Sequence, residues 1–226
     1  MAKDIVTSGI PLLDHALEHG GFKKGSIVLV VGDHSARKDL FGLTFLKEGL
    51  AKGERVAFYD VEASSDEIMD LLIETADPHL MKNLNFMDAC PEYSKFFINA
   101  VPARIIEDMR MLDAKAVNRV LINPFTFFLE KFGMEDSGDF LILVREIAIK
   151  KKLTVMFLMA DILDERSMQS VIDKFDGIIE LRTVELHEGF YHTIDIKKFS
   201  IKQKKVQLTY NVFETEVQIT STGRIL

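Results

Sequence analysis

The 226-residue chain has one cysteine, Cys90, and five prolines. A single thiol excludes an intramolecular disulfide and any Cys-x-x-Cys zinc site. With no charged-then-apolar leader after Met1-Ala2-Lys3-Asp4, it predicts a reducing, cytoplasmic setting. No apolar run approaches the ~18–20 residues of a membrane span. The longest runs, Ile27–Val31 and Val155–Ala160, have strand length. Positive charge is not in excess: 28 Lys and Arg stand against 35 Asp and Glu, a net charge of −7. That balance argues against a nucleic acid held by overall charge. Internal repeats, low-complexity segments and linkers are missing, so residues 1–226 read as one domain. What remains, 47% apolar and 28% charged residues, suits a folded protein with a sizeable core.

Short β-rich runs alternate with helical patterns. Ser26–Val31 reads as a strand covered on both faces. Lys38–Lys52 follows as a helix with Leu40, Leu43, Leu46 and Leu50 on one side. Arg55–Asp60 is the next strand. Ser64 and Glu67, at capping-box spacing, open a helix carrying Ile68, Leu71 and Leu72. Leu84–Met87, Arg119–Asn123 and Thr154–Met159 read as strands, and Ile98–Leu112, Phe140–Lys150 and Glu165–Lys174 as helices. After Asp176–Leu181 the period falls to two, over Thr193–Phe199, Lys204–Phe213 and Glu216–Thr220, which predicts C-terminal antiparallel β-hairpins. The fold class is therefore α/β, with a mostly parallel central sheet flanked by helices. Ligands of such sheets sit at the carboxyl ends of the strands. The segments to inspect are Gly32–Asp39, Asp60–Ser64, Asn123–Thr126 and Ala160–Asp161.

The first of these, Gly32-Asp33-His34-Ser35-Ala36-Arg37-Lys38-Asp39, lies between a buried strand and an amphipathic helix. That is the setting of the phosphate-binding frame G-x-x-x-x-G-K-[ST]. Gly32 and Lys38 fit the frame; Arg37 stands at the second glycine and Asp39 at the hydroxyl. Arg37 puts a long side chain where backbone N–H groups should approach a phosphate. Asp39 replaces a Mg²⁺ ligand by a carboxylate that repels the phosphates. The plain alternative is a surface turn in which Asp33 or Asp39 caps the helix.

Neighbouring segments resemble the KaiC/RadA group of RecA-fold ATPases. Thr7-Ser8-Gly9-Ile10-Pro11-Leu12-Leu13-Asp14 and Gly20-Gly21-Phe22-Lys23-Lys24-Gly25-Ser26 are similar to the lead-in of that family's phosphate-loop strand. Ala57–Ser64, Arg119–Thr126, Phe175–Leu181 and Val217–Ile225 resemble later family segments in the family's order. The resemblance implies a RecA-like P-loop NTPase fold over nearly the whole chain. Position by position it also implies loss. Asn123 stands at the Walker B aspartate. Of the glutamate pair that activates water, Glu62 remains and Ala63 replaces its neighbour. Lys198-Phe199-Ser200 keeps the lysine of a trans-acting K-x-R and lacks its arginine. Phosphoryl transfer rests on positioning and on charge neutralisation by Mg²⁺, lysine and arginine, so these departures strike one reaction. The candidate site is thus a degenerate nucleotide site of Gly32, Asp33, His34, Ser35, Ala36, Arg37, Lys38, Asp39 and Asn123, with Glu62 the only catalytic candidate. A carboxylate, Asp39 or Asp33, is expected to take the missing phosphate's place and to pair with Lys38.

Other constellations have plainer readings. His15 and His19 sit four apart in the lead-in helix with no third ligand, so no metal site is assigned. Lys197, Lys198, Lys202, Lys204 and Lys205 form a basic stretch, read as an aggregation-blocking hairpin edge ahead of a polyanion site. Phe125, Phe127 and Phe128 read as core, as does Cys90.

The expected function is a catalytically degenerate KaiC-like homologue acting as a noncatalytic regulatory or scaffolding protein. It would need no cofactor and would work through protein partners, an active ATPase relative among them, or as a homo-oligomer. The first alternative is an ATP-binding protein or slow Mg-dependent ATPase with a variant P-loop. The second is a recombinase-like DNA-binding paralogue, disfavoured by the acidic balance and by the lack of an appended N-terminal DNA-binding domain.

Overall fold

The computed structural model describes residues 4–61, 66–88, 98–113, 116–186, 189–199 and 207–223. Its centre is a nine-stranded sheet. In chain order the strands are β3 (Ile27–Gly32), β4 (Arg55–Asp60), β5 (Leu84–Asp88), β6 (Val117–Asn123), β7 (Thr154–Ala160), β8 (Gly177–Leu186), β9 (Gly189–Lys197), β10 (Gln207–Val212) and β11 (Val217–Gly223). A separate two-stranded ribbon pairs β1 (Ile5–Val6) with β2 (Phe22–Lys23). The order across the sheet is β11-β10-β9-β8-β3-β7-β6-β4-β5. From β8 to β5 every pairing is parallel; from β8 to β11 every pairing is antiparallel. The α/β architecture and the antiparallel tail are those expected from the sequence.

β3 and, beyond Thr154, β7 carry no polar side chain because helices cover both sides of them. One layer holds α2 (Lys38–Ala51) and α3 (Asp66–Thr75). The other holds α4 (Val101–Met111), α5 (Phe125–Lys151) and α6 (Glu165–Ile172). α2 is buried more widely than one leucine stripe, since Phe41 and Phe45 join Leu40, Leu43, Leu46 and Leu50. α5 differs from expectation. It begins at Phe125 and not Phe140, and it is broken at Gly133, which adopts φ 75° and ψ −176°. The glycine keeps the helical signal of the two halves apart. Phe125, Phe127 and Phe128 are core, as expected. No helix among the described residues is long and apolar enough to cross a membrane.

The lead-in is fastened by Arg119, fully buried on β6. Its Nε donates to Glu54 at 2.7 Å, and its Nη1 donates to the carbonyls of Thr7 at 2.6 Å and Phe45 at 3.2 Å. The guanidinium also lies 5.0 Å from the centre of the Phe45 ring. Asp14 accepts the Ser8 N–H at 2.7 Å, and Gly9 turns with φ 90° where a β-carbon would meet the Thr44 carbonyl at 2.8 Å. The Thr-Ser-Gly-Ile-Pro-Leu-Leu-Asp segment is thus a packing device behind the sheet. The lead-in helix, α1 (Pro11–Ala16), ends before His19. His15 and His19 therefore do not share a helical face, and both are exposed.

Candidate functional site

β3 ends at Gly32, whose carbonyl accepts the Asp161 N–H at 3.2 Å. A β-carbon on Gly32 would stand 2.9 Å from Leu181 Cβ and 3.2 Å from its carbonyl oxygen. Packing against β8 therefore requires this glycine, whether or not a phosphate is present.

From Asp33 to Arg37 the chain closes on itself. The Asp33 carboxylate accepts the Ala36 N–H at 2.8 Å and the Ser35 hydroxyl at 2.7 Å. The Ser35 N–H also turns to it. Burial on its own would raise the Asp33 pKa; the donors from Ser35, Ala36 and Thr183 outweigh it and hold the carboxyl below its usual range. Ala36 is fully buried, and its carbonyl accepts the Tyr210 hydroxyl at 2.7 Å. Burial, then the charges of Asp33 and Asp39, push the Tyr210 phenol upward, so it remains a donor. Both backbone groups of Ala36 are engaged within the chain.

Arg37 occupies the second glycine position in a left-handed conformation, φ 50° and ψ 50°, which costs a residue with a β-carbon about 1–2 kcal/mol. Its guanidinium grips Asp39, with Nη2 at 2.8 Å and Nε at 3.1 Å. The expected partner of the carboxylate was Lys38. The fork of Arg37, two residues before Asp39, fits a carboxylate bidentately, which an ammonium does not. Lys38 is the first residue of α2 and is half-buried. Neither Asp33 nor Asp39 is the helix cap: that place belongs to Arg37, without a side-chain cap bond. His34 is exposed, and its carbonyl accepts the Arg37 N–H at 3.2 Å.

Asn123 ends β6, opposite Asp60 in register, and its carbonyl accepts the Val61 N–H at 2.9 Å. β7 separates β6 from β3, which places Asn123 about 10 Å across the sheet from the loop strand at ~4.8 Å per strand. The next segment is tied in by Thr126 Oγ1, which accepts the Ala160 N–H at 3.0 Å. Glu62, Ala63, Ser64, Cys90, Ser200, Lys202, Lys204, Lys205 and Arg224 lie outside the described residues, as does the side chain of Glu67. Lys198 is engaged in its own chain, donating to the carbonyls of Ile172 at 2.9 Å and Asp173 at 2.7 Å at the end of α6. Lys197 pairs with Glu180 at 2.6 Å. Among the described residues no cluster of His, Cys, Asp and Glu suits a metal ion.

Sequence reasoning missed the residues that hold the loop shut. Thr183, His192 and Tyr210 form one row across β8, β9 and β10. Ser35 Oγ lies 2.8 Å from Thr183 Oγ1, which lies 3.2 Å from His192 Nδ1. The His192 ring lies over Tyr210 with centroids 5.2 Å apart. Counting back from the β8–β9 hairpin turn pairs Thr183 with His192; nothing local to the loop points to them.

A strand-to-helix loop at the carboxyl edge of a mostly parallel sheet, with one strand between it and the strand ending at Asn123, defines a RecA-type P-loop α/β protein. The family described as "ATPase: KaiC" matches residues 6–223, and the chain belongs to that family. It is similar to a KaiC-like protein of Pyrococcus horikoshii OT3 of known crystal structure. The TM-score is 0.75 and the identity 18%, over 96% of this chain and 99% of that one. It is 39% identical over 137 residues to protein RecA of Malacoplasma penetrans, covering 60% of this chain and 37% of that protein. It is 38% identical over 63 residues to protein RecA of Mesoplasma florum, covering 28% and 19%. The chain thus spans well under half the length of these RecA relatives.

Proposed function

We propose that this chain is a noncatalytic member of the KaiC family, a regulatory or scaffolding protein acting through protein partners, with a P-loop closed on its own side chains. The observation that carries the reading is the Asp33 carboxylate. It takes the Ser35 and Ala36 N–H groups of the kind that a P-loop turns toward phosphate. Electrostatics agree. A unit charge 4 Å from a like charge costs roughly 4 kcal/mol at an effective dielectric of 20. Before screening, that is roughly three powers of ten in affinity. Asp33 and Asp39 both stand within the loop frame, so a phosphate entering it would approach two carboxylates, and Arg37 is already paired with Asp39. The partner is an active ATPase relative or a second copy of the chain.

Calorimetry with Mg-ATP tests this. Wild type should give no binding at micromolar concentrations, and Arg37→Gly with Asp39→Thr should raise affinity. Micromolar binding by wild type would defeat the reading. The rival, a slow ATPase, is supported by Gly32 and Lys38 in their frame positions. It requires Mg-dependent phosphate release that falls in both Lys38→Ala and Glu62→Ala. The similarity to RecA proteins keeps a DNA-binding reading open to one test: salt-sensitive single-strand binding abolished by neutralising Lys202, Lys204 and Lys205.

A further inference from the structure

On the sheet face opposite α2, α5 is broken at Gly133. A cavity of about 460 Å³ lies there between α4 and the two halves of α5, room for about fifteen waters and within the usual size of small-ligand sites. Its floor is aromatic: Phe128 and Phe140 stack at 4.5 Å with planes 10° apart, and Phe132 sits beside Phe128 at 6.3 Å. Such a floor is rigid, being braced from beneath by Phe125 and Phe157.

Among the described residues, one hydroxyl belongs to this apolar setting. Ser137 lines the cavity, is 1% exposed, and its Oγ has no hydrogen-bond partner. A helical serine ordinarily turns to the carbonyl four residues back. Here that carbonyl belongs to Gly133, whose extended ψ takes it out of the helical ladder. Buried hydroxyls are rarely left without a partner, so the arrangement suits a group supplied from outside.

The mouth sets the sign of that group. Among the described residues, Glu107, Asp136 and Asp139 line the opening with one cation, Arg110, and all four are exposed. The start of the second half of α5 contributes about half a positive charge, which does not offset the excess of carboxylate. A globular partner needs about 800 Å² of contact on each side, far more than this opening presents, whereas a small molecule fills it.

We propose that the α4–α5 cavity is a binding site for a small organic cation. Its apolar body rests on Phe128, Phe132 and Phe140, its ammonium faces Asp136 and Asp139, and a polar atom meets Ser137 Oγ. This site is independent of the loop and does not rest on the noncatalytic reading.

The test titrates the full chain with phenylpropylamine, the matching alcohol and the matching carboxylate, observed by NMR. The amine should bind roughly tenfold tighter than either analogue, with shifts confined to Pro102–Arg110 and Phe132–Leu143. Asp136→Asn with Asp139→Asn should erase the preference. Ser137→Ala should weaken amine binding while leaving the fold as stable or more so, which a purely structural serine would not do. Ala103→Trp, at an exposed position on the mouth, should block all three probes without touching the core. Equal affinity for the three probes, no binding, shifts elsewhere, or unchanged binding in Ala103→Trp would overturn the proposal. So would a lysine-rich peptide binding there far more tightly than the amine.

Discussion

Replacing Asp33 by alanine asks how firmly the loop is held. In the native loop its carboxylate serves the Ser35 hydroxyl and the N–H groups of Ser35 and Ala36. Ser35 is exposed and would turn to water, but Ala36 is fully buried, so one N–H is orphaned. That costs about 1–3 kcal/mol, or roughly 2–12 °C in Tm at about 2–4 °C per kcal/mol for a chain of this length. Asp33→Asn keeps an oxygen acceptor but loses the charge. Since charge-assisted bonds are about twice as strong as neutral ones, it should lose about half as much. The pH dependence has a definite sign. The folded carboxyl lies below its usual value, so its contribution is complete above the unfolded pKa of ~3.9. It disappears as pH falls through the lower folded value. Urea denaturation of wild type and Asp33→Asn should therefore differ at neutral pH and converge near about pH 2. Amide exchange at Ala36 should accelerate in Asp33→Ala. If that variant stays within about 0.5 kcal/mol of wild type at neutral pH, with Ala36 exchange unchanged, the loop is not held in this way.

Three further substitutions probe the same construction. Tyr210→Phe leaves the buried Ala36 carbonyl without its donor and should cost about 1–3 kcal/mol; denaturation additive with Asp33→Ala would show that the two clasps act separately. Gly32→Ala forces a β-carbon to 2.9 Å from Leu181 Cβ; it should lower the unfolding free energy, read from urea denaturation, by about 1–3 kcal/mol even in the complete absence of nucleotide. Arg119→Met strips Glu54 and the Thr7 carbonyl of a fully buried partner and should cost about 3–5 kcal/mol, roughly 6–20 °C by scanning calorimetry, with a loss under about 1 kcal/mol contradicting the role given to Arg119.

The fold was legible where a pattern has one physical source. Arg55–Asp60 is a strand from end to end because both its faces are covered, and the C-terminal ribbons follow from strict alternation. α5 was only half legible. Phe125–Phe132 follows Pro124 as a dense apolar stretch, and Gly133 interrupts the period before Phe140 restores it, so the two halves do not add up to one helical signal. Strand order was not legible, since the pairing of β3 with both β7 and β8 joins segments more than a hundred residues apart.

On the noncatalytic reading proposed above, a family signature and a family chemistry separate at this loop for a physical reason. Gly32 is required by Leu181, Gly9 by Thr44, and the Thr7–Asp14 segment by Arg119, Ser8 and its own turn. These residues are held by packing whether or not the edge of the sheet meets a phosphate, and they are the ones that carry the resemblance. Arg37, Asp39 and Asn123 are under no such constraint from the core, and there the pattern departs. The one-dimensional pattern offers Asp33 and Asp39 as carboxylates for the loop; it does not choose between them, nor does it show what closes the loop from outside. Asp33 is one of two candidates until its carboxylate is seen against the Ala36 N–H, and Tyr210 is an ordinary strand tyrosine until its hydroxyl is seen on the Ala36 carbonyl. The closing groups come from β8, β9 and β10, so a loop that reads as an open cradle beside its own helix is shut by strands about 150–170 residues later in the chain.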